Sequence, residues 1–329
     1  MDKIELLNKL KWQLYMRSPK GGIYKKCIER LRNDNIDMID MAFNGEYLNM
    51  NVLEMFIRGY YSTNRLDIKK FYDYLLMDDN INIVIKNNVK MLEFNINGKM
   101  VYITYPKNLE ELSSLRFELL DLILPYMISD VYNFKNVSFN EGPYEYIGKY
   151  VDVRLAEGDT VLDLGANFGL FSAYAASIGC NVYAFEPLKK AVDEYLSKAQ
   201  KIYGNIEIVN KAVSNTIGYS SLNIDTENFG GSYISDNSDG ETIKTETIDN
   251  FINDNNINKI DFIKADIEGQ ECEMLEGAIE TLKYFHPKLS ICKYHKLHDD
   301  KNIKRLILSA NPYYVIESNW KKIYAEYKK

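Results

Sequence analysis

The segment Val161–Ser172 constrains the fold of this chain more than any other part of the sequence. Its first residues are apolar apart from Asp163, and a glycine-rich turn and a helix-compatible stretch follow at once. A buried strand, a tight turn and a helix N-terminus in this order form the ligand platform of open α/β sheets. A second apolar run, Asn181–Phe185, leads to Glu186 about one strand–helix–strand unit later. Because a carboxylate at a strand tip can accept hydrogen bonds from both ribose hydroxyls, the two segments predict an adenosine-bearing cofactor.

The glycine pattern distinguishes between cofactors of this kind. A dinucleotide site has the pattern Gly-x-Gly-x-x-Gly, but here Asn167 and Leu170 occupy the places of the second and third glycines. The negative charge of Asp163 is unfavourable beside a pyrophosphate and favourable beside a positive group such as the ammonium of a methionine moiety. The carboxylate of that moiety could lie near the helix N-terminus. The charge pattern favours S-adenosylmethionine over NAD; the alternative is an ordinary βα turn with a helix-packing glycine.

A third strand is predicted to bring further carboxylates to the same edge. The run Lys259–Ala265 has the pattern of a buried strand, and Asp266 and Glu268 follow it. A helix is expected next, with apolar positions at a 3.6-residue period: Leu275, Ala278, Ile279 and Leu282. Ligands in such sheets lie outside the carboxyl ends of the strands. The predicted cofactor-binding residues are Asp163, Gly165, Ala166, Asn167, Gly169, Glu186, Pro187 and Asp266.

Several segments resemble the FkbM-type methyltransferase family and occur in the family's order. They are Asp163–Gly169, Phe185–Pro187, Thr247–Phe251, Ile263–Gly269, Leu275–Ala278 and Tyr294–Lys296. The resemblance spans about residues 141–314, and Ala265 departs from it, since the family more often has a branched apolar residue there. It implies a Rossmann-like, seven-stranded class I methyltransferase sheet with one antiparallel strand. It also implies S-adenosylmethionine-dependent O-methylation of a sugar, glycan or secondary metabolite, without identifying the acceptor.

Methyl transfer to a hydroxyl needs a group that takes the acceptor's proton, and His295 is the leading candidate. It follows the end of a predicted strand on the active rim, and histidine titrates near neutral pH. The alternative is a rim histidine that only hydrogen-bonds a neighbouring strand. Asp266 and Glu268 are also predicted as catalytic residues, which could position the cofactor or acceptor, act as the base, or bind a divalent cation. We favour the roles of positioning the cofactor or acceptor, or of acting as the base. We predict no metal site, because two carboxylates alone do not supply an octahedral set of oxygen ligands.

The length of the chain and a change of pattern near residue 140 predict two domains. Residues 1–140 are expected to form an α+β domain, which could bind the acceptor, mediate oligomerisation or serve as a scaffold. It includes helices before residue 80, an Asn97-Gly98 hairpin and a helix at about 109–124. Residues 141–329 are expected to form the methyltransferase domain, with strands at about 160–164, 181–186, 206–210, 259–265 and 288–293 and a final hairpin at 313–324. An insertion at 219–247 could be a substrate lid or a plain surface hairpin.

Composition disfavours several classes of protein. A net charge of −7 speaks against a nucleic-acid partner, which requires clustered cations. The most apolar run, Leu119–Ile128, is interrupted by Asp121 and Pro125 and is too short to cross a membrane. The four cysteines have no zinc-ligand spacing and suit a reducing compartment, so we expect a cytoplasmic protein. The expected partner is a small-molecule or glycan acceptor, and a homo-oligomer stays open.

Two other functions stay open at this point. One is a nicotinamide-dependent oxidoreductase or epimerase on a related sheet, against which the missing glycines count. The other is a non-catalytic scaffold that keeps the cofactor fold. The joint presence of Asp163, Glu186, Asp266, Glu268 and His295 favours an enzyme.

Overall fold

The structure is a computed structural model that describes part of the chain. The described residues are 81–96, 98–105, 118–119, 122, 143–224, 232–235, 240–293, 299–319 and 321–329. The helices predicted before residue 80, most of the helix predicted at 109–124 and the predicted base His295 lie outside them.

The described residues form the following elements in chain order. The strands are β1 Ile81–Lys86, β2 Val89–Ile96, β3 Lys99–Thr104, β4 Tyr146–Ile147, β5 Asp152–Val153, β6 Thr160–Leu164, β7 Asn181–Phe185, β8 Ile206–Val209, β9 Ala212–Val213, β10 Gly218–Asn223, β11 Tyr233–Ser235, β12 Glu241–Glu246, β13 Phe262–Ala265, β14 Lys288–Cys292, β15 Tyr314–Ser318 and β16 Lys322–Tyr327. The helices are α1 Leu170–Ile178, α2 Lys189–Ala191, α3 Ser197–Ile202, α4 Ile248–Asp254, α5 Glu271–Glu276, α6 Ile279–Tyr284 and α7 Asp299–Ala310. A π-helical turn, Val192–Leu196, joins α2 to α3.

A seven-stranded sheet forms the centre of the C-terminal region, with the spatial order β15-β16-β14-β13-β6-β7-β8. Strand β16 is antiparallel to both of its neighbours, whereas the pairings of β14, β13, β6, β7 and β8 with one another are parallel. The chain winds outward from β6 through β7 to β8 and then returns to place β13 on the other side of β6. The boundary between β6 and β13 is therefore a topological switch point, where open α/β sheets bind their ligands. The predicted Rossmann-like sheet with one antiparallel strand is confirmed.

The two faces of the central strands differ in chemistry, because successive side chains of a strand point to opposite sides. One face packs against α4, α5, α6 and α7 in an apolar core whose buried members include Leu162, Ile263, Leu289, Phe251, Met274, Leu282 and Ile303. Each such side chain contributes about 1.5–3 kcal/mol when it is fully buried. On the other face, Asp163, Lys264 and Ser290 lie in register on β6, β13 and β14 and are all buried. The centre of the sheet is thus rigidly packed on one side and carries a buried polar row on the other.

The single helix predicted through residues 275–282 is two helices, α5 and α6, and this corrects the prediction. The break occurs at Gly277, where a Cβ would come within 2.3 Å of a backbone oxygen of a neighbouring segment. Asp249 starts the second helix, because its carboxylate accepts hydrogen bonds from the backbone nitrogen (2.8 Å) and the hydroxyl (2.6 Å) of Thr281. Ile279, which was expected to lie on the buried face, is 43% exposed.

The insertion at 219–247 contains short strands, as predicted, and they form a sheet of their own. Its order is β11-β10-β12-β9, with β10 antiparallel to both β11 and β12. One side of this sheet is apolar: Leu222 and Ile243 are buried against Leu188 and Ala191, at the start of the helix that follows β7. The insertion is therefore anchored next to the end of β7. Its action as a lid stays a prediction.

The predicted Asn97-Gly98 hairpin is present as β2 and β3, which pair in antiparallel register from Met91 opposite Thr104 onward. Ile83–Tyr105 belongs to the same compact unit as Ser114–Lys329. Within that unit, the backbone nitrogen of Tyr102 donates a hydrogen bond of 2.7 Å to the hydroxyl of Tyr203. The domain division near residue 140 stays a prediction. In the part of the chain that the structure describes, no helix is both long enough and apolar enough to span a membrane.

Candidate functional site

Three neighbouring strand ends bring the predicted cofactor residues together. The last residue of β6 lies directly opposite the last residues of β7 and β13 in the parallel register. The residues that follow these three strands are Gly165, Glu186 and Asp266. They therefore share one edge of the sheet, at the switch point between β6 and β13.

The turn after β6 lies so close to β13 that only glycine fits at its first position. Gly165 has a φ of +76°, in the left-handed region, and a Cβ there would lie 2.0 Å from the backbone oxygen of Asp266. The backbone nitrogens of Gly165 and Ala166 both donate to the carbonyl oxygen of Phe185, at 3.0 and 2.9 Å. The turn is thus fastened to the end of β7 while its backbone contacts the end of β13.

Left-handed residues alternate along the rest of this turn. Asn167 has a φ of +48° and Gly169, which precedes α1, has a φ of +79°. A Cβ on Gly169 would lie 2.7 Å from a methyl carbon of Leu196 in the π-helical turn. The side-chain amide of Asn167 also donates to Glu118, at 3.2 Å. Asparagine can occupy the place of the second glycine of a dinucleotide motif because it tolerates the left-handed conformation that this position has.

Glu186 is buried at the tip of β7, and both of its carboxylate oxygens are oriented by backbone groups. One oxygen accepts from the nitrogen of Asn167 and the other from the nitrogen of Leu188, each at 2.8 Å. Burial raises the pKa of Glu186 to about 6, so the carboxylate is mainly ionised at neutral pH. The side-chain amide of Asn210 donates to the carbonyls of Glu186 (2.8 Å) and Pro187 (3.1 Å) and fixes this segment to the end of β8. Each carboxylate oxygen retains a lone pair that could accept from a ribose hydroxyl.

Asp163 is fully buried and is already paired within the chain. Its carboxylate accepts a hydrogen bond of 2.5 Å from the hydroxyl of Ser172 on α1 and lies 3.0 Å from the ammonium of Lys264 on β13. Burial alone would lower the pKa of Lys264, but the carboxylates of Asp163 and Asp266 raise it above its ordinary value, so the ammonium stays charged. No role was predicted for Lys264 from the sequence. The sequence feature that could have identified Lys264 is a lysine inside an otherwise apolar strand. It lies two residues before Asp266 and therefore on the same face of the strand.

Asp266 lies beside an aromatic ring that the sequence analysis did not identify. The hydroxyl of Tyr144 is 3.5 Å from a carboxylate oxygen of Asp266. The ammonium of Lys322 is 3.5 Å from the centre of the Tyr144 ring, and that of Lys264 is 5.3 Å from it. Glu268 is half-buried and has a φ of +51°, which a non-glycine residue adopts rarely. Asp266 and Glu268 thus follow β13 as predicted, and Asp266 lies next to a cationic and aromatic cluster.

His295, the predicted general base, lies outside the described residues, and so do the flanking residues of its motif. Its position and its role stay predictions. Among the described residues, no group of three or more histidine, cysteine or acidic side chains is arranged to hold a metal ion.

The residues at this edge fit an adenosine-bearing cofactor. The turn at Gly165 is held against the end of β13, and the carboxylate of Glu186, ionised at neutral pH, accepts a hydrogen bond from the nitrogen of Asn167 in the same turn. Such an arrangement can accept both hydroxyls of a ribose on one side and a methionine moiety near Asp266 on the other. The cofactor-binding roles of these residues stay predictions.

Comparison with known proteins agrees with this geometry. Residues 163–317 match the model of the methyltransferase FkbM domain. The chain is 27% identical over 154 residues to the hexuronic acid methyltransferase AglP of Haloferax volcanii, an alignment that covers 47% of this chain and 63% of that protein. Among solved structures it is similar to methyltransferase FkbM of Methylobacillus flagellatus KT, with a TM-score of 0.45, 21% identity and coverage of 64% of this chain and 55% of that one. A SAM-dependent methyltransferase of Aquifex aeolicus has a TM-score of 0.32 and 17% identity, over 53% of this chain and 85% of that one.

The chain spans less than two thirds of the length of the first two of these relatives, 63% and 55%. The domain match begins at Asp163 and ends within β15, so it includes the glycine turn, Glu186 and the Asp266–Gly269 motif. The predicted resemblance to FkbM-type methyltransferases is therefore confirmed over residues 163–317.

Proposed function

We propose that this chain, which carries a methyltransferase FkbM domain at residues 163–317, transfers the methyl group of S-adenosylmethionine to a hydroxyl oxygen of a sugar or glycan. The observation that carries the proposal is the convergence of Gly165, Glu186 and Asp266 at the switch point of a sheet with this strand order. A nicotinamide-dependent reaction is not proposed, because the turn lacks two of the three glycines of a dinucleotide site and the matched domain is a methyltransferase.

Different residues of the site would bind different parts of the cofactor. Glu186 would accept hydrogen bonds from the ribose hydroxyls, and its raised pKa, about 6, still leaves it ionised at neutral pH. The turn at Gly165 would let the backbone approach the nucleoside, and Asp266 would lie toward the methionine end. When bound, the cofactor supplies a methyl group on a positively charged sulfur. Most of the help that the protein gives to such a transfer is the alignment of the acceptor oxygen with that methyl group.

A sugar acceptor is supported by the relative AglP, whose name gives hexuronic acid as the compound that is methylated. A hydroxyl acceptor must lose a proton, and His295 remains the candidate that would take it, with Asp266 or Glu268 as a positioning group or base.

The test is methyl transfer from S-adenosylmethionine labelled in its methyl group to glucuronic and galacturonic acid and to the neutral sugars glucose and galactose. The proposal predicts a labelled product that survives treatment with alkali, because a methyl ether is stable there. A product that alkali destroys would be a methyl ester of the sugar carboxylate and would overturn the hydroxyl acceptor. Binding of the cofactor without labelling of any sugar would overturn the sugar as substrate class.

Two carboxylate variants make the same test specific to the site. Glu186→Gln should lose most of the labelling, since the amide nitrogen cannot accept from a hydroxyl. Glu207→Gln is the matched control, because Glu207 is an exposed carboxylate on the neighbouring strand β8. Equal losses in the two variants would contradict the assignment of Glu186 to the cofactor.

A further inference from the structure

We propose that Lys264 is the residue that positions the cofactor turn, by holding the peptide group between Gly165 and Ala166 in its orientation from inside the sheet. The proposal rests on the proposed function, because it assigns the turn to S-adenosylmethionine. It adds a residue to the site and gives Asp163 a different partner from the one that the sequence suggested.

The peptide group after Gly165 is held at both of its ends. Its carbonyl oxygen accepts a hydrogen bond of 2.7 Å from the ammonium of Lys264, and its nitrogen, that of Ala166, donates to the carbonyl of Phe185 at 2.9 Å. A planar peptide unit that is bonded from opposite sides has little freedom to rotate. The same ammonium lies 3.5 Å from the carbonyl oxygen of Leu164, one residue earlier. The direction in which the turn presents its backbone is therefore set by β7 on one side and by β13 on the other.

The side chain of Lys264 reaches the carbonyl oxygen of Gly165 from inside the sheet. It lies opposite Asp163 in the parallel register of β13 and β6, and it is 4% exposed. A lysine at this place carries three donors, and the carboxylate of Asp163 and the carbonyls of Leu164 and Gly165 accept from them. The long side chain runs along the sheet toward its carboxyl edge, where the turn begins.

The pairing also changes the role of Asp163. Its carboxylate has no exposed surface, and it accepts from Ser172 on α1 while it faces the ammonium of Lys264. A cofactor ammonium could reach it only by displacing one of these partners. The positive group beside Asp163 is therefore the ammonium of Lys264, whereas the sequence pattern had suggested the ammonium of the cofactor. Asp163, Lys264 and Ser172 thus link β6, which precedes the turn, and α1, which follows it, to β13.

A buried carboxylate that loses its partner destabilises a fold for reasons unrelated to the cofactor, so the test must separate the two effects. Lys264→Met alone leaves the charge of Asp163 uncompensated. The double variant Asp163→Asn/Lys264→Met removes both charges at nearly constant volume and leaves the amide of residue 163 able to bond Ser172. Lys201→Met, an exposed lysine at the end of α3, is the control for the loss of a lysine.

Three quantities should be measured for each variant: the thermal midpoint without cofactor, the dissociation constant of S-adenosylmethionine by calorimetry, and the hydrogen exchange of the Gly165–Asn167 amides without cofactor. We expect the double variant to regain most of the thermal midpoint that Lys264→Met loses. We also expect it to bind S-adenosylmethionine at least tenfold more weakly than the parent chain, and to exchange the amides of the turn faster. Lys201→Met should match the parent in all three.

The alternative role for Lys264 is only to neutralise Asp163. In that case the double variant would bind the cofactor with the parent's affinity and exchange the amides at the parent's rate, which would overturn the proposal. A double variant that does not fold would also overturn it, because the role of Lys264 would then be general stability. If the parent chain does not bind S-adenosylmethionine at all, the proposed function fails, while the exchange rates still test what Lys264 does to the turn.

Discussion

Substitution of Gly165 by alanine is the most direct way to disturb the close approach of the glycine turn to β13. The new Cβ would lie 2.0 Å from the carbonyl oxygen of Asp266 and 3.0 Å from its carbon, and ordinary contact begins at about 3.4 Å. The obstacle is backbone on the neighbouring strand, not the end of a flexible side chain. The turn and the end of β13 must therefore separate by more than about 1 Å, a displacement of the size that disturbs bound geometry in active sites.

Two costs add in this variant. Alanine in the left-handed region costs about 1–2 kcal/mol relative to glycine. The forced shift of packed backbone costs a further ~1–3 kcal/mol, as in overpacked cores. We expect Gly165→Ala to be destabilised by about 2–5 kcal/mol, which a typical domain with about 5–15 kcal/mol of stability survives. Its affinity for S-adenosylmethionine should fall at least tenfold, because the backbone that receives the nucleoside has moved.

Gly158→Ala is the matched control for this experiment. Gly158 also has a left-handed φ, +85°, but a Cβ there would meet nothing within 4 Å. It should lose only the conformational cost of about 1–2 kcal/mol and keep the parent's cofactor affinity. Chemical denaturation gives the stabilities and titration calorimetry the affinities. The reasoning is refuted if Gly165→Ala is no less stable than Gly158→Ala and binds S-adenosylmethionine equally well.

Three further predictions concern the carboxylates of the fold. Because the pKa of Glu186 is about 6, its ionised fraction falls roughly tenfold from pH 7 to pH 5, and calorimetry should show the affinity for S-adenosylmethionine falling with it. The folded chain also binds this proton more tightly than the unfolded chain does. The contribution of Glu186 to the stability of the cofactor-free chain should therefore rise as the pH falls from about 6 to 4.5. Ser172→Ala removes a hydrogen bond to the buried carboxylate of Asp163 and should cost about 1.5–3 kcal/mol in urea unfolding; an unchanged midpoint would show that this bond is weak. Asp249→Ala removes the group that bonds the first turn of α6 through Thr281 and should cost about 1–2 kcal/mol, whereas a smaller loss than at an exposed carboxylate would contradict the capping role.

The elements of the sheet were predictable because their signals are local. A strand with both faces buried has a continuous apolar run, and glycine turns and acidic tips mark its carboxyl end. The strands that end at Leu164 and Phe185 follow this rule, and they and the strand that ends at Cys292 were predicted within a residue or two. The order of the seven strands is not local information; the resemblance to a family implied only their number and one antiparallel strand.

The helix break and the partner of Asp163 were not predictable by the same means. Residues 275–282 keep a helical period across Gly277, and the backbone oxygen of Ser214 that lies close to this glycine belongs to another segment. In the same way, the prediction that Asp163 faces a cofactor ammonium considered its own strand alone. Its cation, Lys264, is 101 residues further along the chain and reaches it through the pairing of β13 with β6. Contacts between residues on different strands or segments depend on how those segments pair, and a single sequence does not show that pairing.

A crystal structure of the chain with S-adenosylhomocysteine would show whether the nucleoside binds at the ends of β6, β7 and β13. We expect the ribose hydroxyls to lie within hydrogen-bond distance of the Glu186 carboxylate and the nucleoside to lie against the backbone of Gly165. The pair of Asp163 and Lys264 should be intact beneath them. A nucleoside bound away from the ends of β6, β7 and β13 would contradict the site. An Asp163 carboxylate in contact with the ligand's ammonium, with Lys264 displaced, would contradict the role assigned to that lysine.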